Sequence, residues 1–199
     1  QALESAASLE FETLIGEAAF AEAETSERLA ILEVFLQIAC AVVVDVSGRF
    51  FFEREVFERR ASRDLSADEL CEAMRQAQAR SYGDGLDPAT YHLYMWAVKP
   101  HYYSGTSSFY NYPYTFGLLF GLGLFARYRA SPETFVAEYE DLLSRTGMAT
   151  AAELAEGFGI DLRSPDFWRG ALDTVRERID RFAVLCGSVY LVLGTNLGA

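Results

Sequence analysis

The sequence predicts an all-α fold, and three observations carry that expectation. Apolar residues recur at steps of three and four almost throughout the 199 residues, runs alternating with period two are scarce, and helix-start signals repeat along the chain. The elements follow in order. A first helix is expected over about residues 2–22. A second, long one starts near Thr25 or Ser26 and carries "ERLAILEVFLQIACAVVVDVSGRFFFEREVFERRA" toward residue 61, with Gly48 as the candidate bend. "SADE" at 66–69 is a capping box, Ser66 accepting from the Glu69 amide and Glu69 reaching back, so a helix should run to about Ser81, where "YGDGLDP" stops it. Ser131 before Pro132 and Ser164 before Pro165 each set a capping hydroxyl ahead of a proline whose missing N–H is not needed in the first turn. "TAAE" at 150–153 is a second capping box. These signals outline a multi-helix domain of about seven helices joined by short loops.

About half of the residues are apolar, enough to bury a core within one domain. The net charge of −12, spread along the chain, disfavours a nucleic-acid partner, because such a surface repels polyanions. Three widely spaced cysteines, Cys40, Cys71 and Cys186, fit buried thiols in a reducing compartment. The central uncharged run "YTFGLLFGLGLFA" is too short for a bilayer, which needs roughly 20 residues, and no charged-then-apolar leader opens the chain. A cytoplasmic protein without a membrane partner is therefore expected.

No complete active site is legible in the residues alone. A catalytic metal needs about three His, Cys or carboxylate ligands brought together, as on an HExxH helix, and the chain has no such pair. His92 and His101 lie on either side of Pro100 and share no helix face. No serine or cysteine sits in a nucleophile setting such as GxSxG. The segment "HYYSGTSSFYNYPYTFG", residues 101–117, holds five tyrosines. A phenol donates a hydrogen bond without losing its proton near neutral pH, so several could hold a peptide carbonyl or an oxyanion; they could equally form an aromatic core wall. Tyr110 and Tyr114, four apart, would share a face if that segment is helical, with Tyr112 pointing away, while Gly105 suggests a loop able to close over a ligand.

"WAVKPHYYSGTSSFYNYPYTFGLLFGLGLFARY" resembles the W-A-x-K-x-H-F-Y and F-Y-N-F-P-Y-T-F-G segment of oligoendopeptidase F, a relative of thimet oligopeptidase among the zinc metallopeptidases. "LQIACAVVVDVSGRFFFEREVFERR" is similar to the family segment that follows the zinc helix, "SYGDGLDP" to its W-Y-G-D loop, and "GIDLRSPDFW" to its G-V-D-L-x-x-P-x-F-W. The resemblance covers most of residues 5–186. It implies the C-terminal helical portion of a larger, two-lobed peptidase that hydrolyses short unstructured peptides in a deep channel.

The resemblance also implies roles and marks departures. The family's HExxH helix, with two zinc ligands and the general base, is absent, so this chain alone should be inactive and the rest of the polypeptide should lie upstream. Of the third-ligand pattern E-x-x-S-x-x-x-E, Ser8 and Glu12 match, but the ligand position falls on Ser5 and Glu4 sits one residue early, about 100° away around a helix. Glu4 is thus the candidate zinc ligand and Glu12 a carboxylate that orients ligands. By position, the resemblance gives substrate binding to His101, Tyr103 and Tyr112, the oxyanion donors to Tyr110 and Tyr114, and the adaptable substrate-binding loop to Gly105. After Cys186 the tail 187–199, "GSVYLVLGTNLGA", departs from the family's amphipathic helix. Two other classes stay open: a peptide-binding module without the metal, and a structural helical domain.

Overall fold

The computed structural model describes residues 15–106 and 109–196. Glu4, Ser5, Ser8 and Glu12, with most of the first expected helix, lie outside the described residues.

The chain is all-α. Helix α1 covers described residues 15–22, followed by α2 (Thr25–Cys40), a π-helical turn (Ala41–Asp45), α3 (Val46–Arg60), α4 (Ala67–Tyr82), α5 (Met95–Val98), α6 (Tyr112–Ala130), α7 (Pro132–Ser144), α8 (Ala151–Gly157) and α9 (Pro165–Asn196). Short 3₁₀ turns occupy Pro88–Thr90 and Pro100–Tyr102. No strand occurs among the described residues; Thr146 and Ala149 form an isolated bridge. Nine helices are labelled among the described residues against about seven expected: the π turn divides the expected long helix into α2 and α3, and the one-turn α5 carries no start signal of its own.

The capping signals work as written in two places. Ser66 accepts from the Glu69 amide while Glu69 accepts from the Ser66 amide, and Thr150 and Glu153 repeat the exchange. Ser164 accepts from the Asp166 amide at 3.3 Å. Ser131 stands at the start of α7, but its hydroxyl makes no capping bond. Gly83 closes α4 at φ 57°, a conformation that a side chain would penalise.

Gly48 falls within the continuous α3. The irregularity comes earlier, in the π turn, where the Val46 amide reaches back five residues to the Ala41 carbonyl. Within this stretch the Val42 carbonyl accepts the Thr115 hydroxyl at 2.8 Å, and the Val44 carbonyl accepts the Ser81 hydroxyl. Side chains bonding into a helix ladder are a recognised cause of such irregularity. Gly48 serves packing instead: a Cβ there would lie 3.3 Å from Ser81 Cβ, so glycine lets α3 approach α4 closely.

Two compact units emerge. Of the described residues, one gathers those up to Ile38 and those from Phe116 onward, and the other those of Ala39–Thr115. The first centres on Phe120, Leu124, Phe135, Leu154 and Phe158, with Phe116, Phe167 and Trp168 packed against them. Its Arg178 is only 4% exposed, bonded to Glu17 at 3.0 Å and stacked 3.8 Å above the Phe35 ring. The same unit has an open apolar pocket of about 470 Å³ lined by Phe20, Ile31, Val34, Phe35 and Ile38 of α1 and α2 and by Leu118. The second unit centres on Phe52, Val56, Ala73, Met74, Ala77 and Met95, joining α3, α4 and α5.

The three cysteines are free, but Cys40 is exposed and Cys71 and Cys186 are half-buried, so the expectation of fully buried thiols fails. The helical run Thr25–Arg60 is long and apolar enough to cross a membrane by length and composition alone.

Replacing Ser66 by Ala should cost about 1 kcal/mol through loss of the cap. Replacing Thr115 by Val, which keeps the shape but removes the donor to Val42, should cost about 1 to 2 kcal/mol. Urea denaturation of the two variants checks both figures, and a Thr115→Val chain as stable as the parent would show that the bond does not hold the π turn.

Candidate functional site

The aromatic segment begins at a proline-started turn. Pro100 opens the 3₁₀ turn Pro100–Tyr102, which sets His101 and Tyr102 at its end. The chain returns at Phe109, whose amide donates to the His101 carbonyl at 2.7 Å, so the intervening loop is closed at its base. Phe109 adopts φ 57°, unusual for a bulky residue. Its ring explains why the conformation is tolerated, packing 4.6 Å from the Phe57 ring and 5.9 Å from that of Tyr102.

From this turn the chain enters α6. Asn111 precedes the helix, and its carbonyl accepts from the Tyr114 amide at 3.2 Å. Pro113 falls in the first turn, where a missing N–H costs nothing. The helix starts at Tyr112, so Tyr110 and Tyr114 do not meet by helical spacing. The turn brings them together instead, ring centroids 6.0 Å apart and nearly perpendicular. Tyr114 is in turn 6.0 Å from the His101 ring, with its hydroxyl 3.5 Å from His101 Nε2, at the outer edge of hydrogen-bond range. His101, Tyr114 and Tyr110 therefore form one contiguous row.

Of the remaining expected site residues, Tyr112 flanks that row, and Tyr103 and Gly105 take no part in the ring contacts that build it. Tyr112 is 61% exposed, its ring 6.4 Å from Tyr110. Tyr103 is equally exposed, but its hydroxyl donates to the Trp96 carbonyl at 2.7 Å, which commits its proton. Gly105 is exposed, with open space where a Cβ would stand, so nothing around it demands glycine. Phe52, Val56, Trp96, Tyr102, Tyr103 and Phe109 line a recess of about 270 Å³. Among the described residues no group of three His, Cys, Asp or Glu side chains could hold a metal ion, and zinc chemistry is assigned to none of them.

Sequence reasoning missed what lies behind the row. Glu53 of α3 is 4% exposed and Asn111 fully buried, and the Asn111 amide nitrogen donates to Glu53 Oε1. Burial is the largest influence on Glu53 and raises its carboxyl from the ordinary 4.5 to about 7, against the Asn111 bond and the Arg49 charge, which lower it. Arg49, one turn earlier, pairs with Asp45, and Asp45 accepts the Tyr82 hydroxyl at 2.9 Å. Burial, then the neighbouring Glu53 charge, raises the Tyr102 phenol. Several buried polar atoms here have no partner among the described residues: Asn111 Oδ1, Tyr102 OH, His101 Nδ1, Trp96 Nε1 and Arg49 Nε. The only sequence signals were an acid directly after three phenylalanines and an amide between two tyrosines.

No family model, curated protein or solved structure matches the chain.

A carboxyl whose folded-state pKa is raised binds its proton more tightly folded than unfolded. Its stabilising contribution is complete below about pH 4.5, falls as pH rises toward 7, and stays lost above that. Relative to a Glu53→Gln variant, the parent chain should lose on the order of 3 kcal/mol across that window. Denaturant midpoints of both chains, followed over pH, measure it; a constant gap between them would mean that Glu53 titrates normally.

Proposed function

We propose that this chain is part of a zinc metalloendopeptidase acting on short unstructured peptides, and that it supplies one wall of the substrate channel. The observation that carries the reading is the row His101, Tyr114 and Tyr110, within hydrogen-bonding or ring contact of one another and partly exposed. The long resemblance of residues 96–128 to the oligoendopeptidase F segment supports it from the side of the sequence.

In this reading His101 donates to a carbonyl of the bound peptide. Tyr110 and Tyr114 donate to the oxygen on which charge develops as the scissile carbonyl becomes tetrahedral, a task suited to phenols that stay protonated near neutral pH. Tyr112 and the recess bordered by Tyr103 and Phe109 take peptide side chains, and Gly105 lies on the adaptable loop. The zinc ion, its two histidine ligands and the general base belong to an upstream part of the same polypeptide, with Glu4 as a ligand and Glu12 orienting it. The open apolar pocket on α1 and α2 gives such a further part somewhere to dock. A soluble, cytoplasmic peptidase without nucleic-acid or membrane partners fits the acidic composition.

Immunoblotting of source cells should show a band several times heavier than 22.2 kDa. A band at that mass would leave a peptide-binding or structural helical domain in place of the peptidase. In the intact enzyme, Tyr110→Phe should lower turnover by about 10² or more, whereas unchanged turnover would return Tyr110 to a packing role.

A further inference from the structure

We propose that Glu53 is a positioning residue for the aromatic row, closing a two-point hydrogen-bonded pair with Asn111 that fixes where Tyr110 and Tyr114 stand. The inference rests on the peptide-wall reading for its functional meaning, but its geometry is independent of it.

One half of the pair is already drawn: Asn111 Nδ2 donates to Glu53 Oε1. The other half is implied by an orphan. Asn111 is fully buried, and its Oδ1 has no partner among the described residues, a costly state for an acceptor with no access to water. The Glu53 carboxyl that meets the amide nitrogen can satisfy it, provided that its second oxygen carries a proton and donates. A protonated acid and a primary amide then bond at both ends. Once Glu53 ionises, two acceptors face each other across that second contact, and the pair is held at one point only.

The surroundings favour the neutral acid. Arg49 is the cation acting on Glu53, and it is already engaged by Asp45 on the same helical run. From the 3₁₀ turn, Tyr102 brings an uncharged phenol; from α4, Tyr82 bonds to Asp45 rather than to Glu53. Burial opposes the charge and outweighs Arg49.

The consequence reaches the row through the backbone. Asn111 lies between Tyr110 and Tyr112, and its own carbonyl starts the first turn of α6 at the Tyr114 amide. Holding the Asn111 side chain at two points restrains the backbone on both sides of it more than holding it at one. Glu53 touches no substrate and acts only through Asn111.

The test follows the chain by NMR with ¹³C-labelled glutamate, comparing wild type with Glu53→Gln. The Glu53 carboxyl carbon should titrate near pH 7, and the Asn111 amide and the Tyr110 and Tyr114 ring signals should move with the same midpoint. In Glu53→Gln that movement should vanish. A carboxyl titrating in the ordinary range, still rings, or a ring response that survives in the variant, where His101 is still present, each overturns the proposal. In parallel, binding of a fluorescein-labelled short unstructured peptide should weaken about ten-fold from about pH 6 to about pH 8 in wild type and stay flat in the variant. If ring signals move but no peptide binds at any pH, the positioning holds and the peptide-wall reading falls. If peptide binds with the same pH dependence in both chains, the wall stands and Glu53 does not position it.

Discussion

The buried contact between Glu53 and Asn111 is the constraint on which the aromatic segment depends. A carboxyl group with almost no exposure is tolerable only if its polar atoms are met, and the group that donates to it belongs to the segment that carries the tyrosines. A second tie, from Thr115 to the Val42 carbonyl, fastens the first turn of α6 to the π turn. Between these two anchors the backbone has little freedom. Tyr110 and Tyr114 take their positions from these anchors together with their own ring contacts.

Aromatic packing completes what the polar anchors begin. Phe109 holds a conformation that costs a bulky residue energy, and its contacts with Phe57 and Tyr102 offset that cost. Tyr102 in turn packs edge-on against Phe52, 5.5 Å away in the core of α3 and α4. Tyr102 and Phe109, the chain neighbours of His101 and Tyr110, thus tie the segment that carries the row to the hydrophobic centre of its unit. Rigid support of this kind suits groups that must be in place before charge develops on a ligand.

How much of this the sequence disclosed depends on the range of each interaction. Capping boxes and proline starts act over three or four residues, so α4, α8 and α9 could be read directly; the silent Ser131 hydroxyl is the exception. The π turn was invisible because its partners, Ser81 and Thr115, are far away along the chain. The packing role of Gly48 was hidden for the same reason, since the close neighbour that it accommodates, Ser81, lies on α4. In the site, the adjacency of Tyr110 and Tyr114 was anticipated from helical spacing, yet it arises from a turn. Glu53 and Asn111, 58 residues apart, meet only in the folded chain, and no local pattern announces that meeting.

The bond from the Phe109 amide to the His101 carbonyl closes the loop that contains Gly105. Once the base of a loop is fixed, its length becomes almost free to vary, since doubling a flexible loop costs only about 0.6 kcal/mol in closure entropy. Insertions at Gly105 would therefore leave the tyrosine row in register. That position is where the segment could change in length while the scaffold beneath stays untouched.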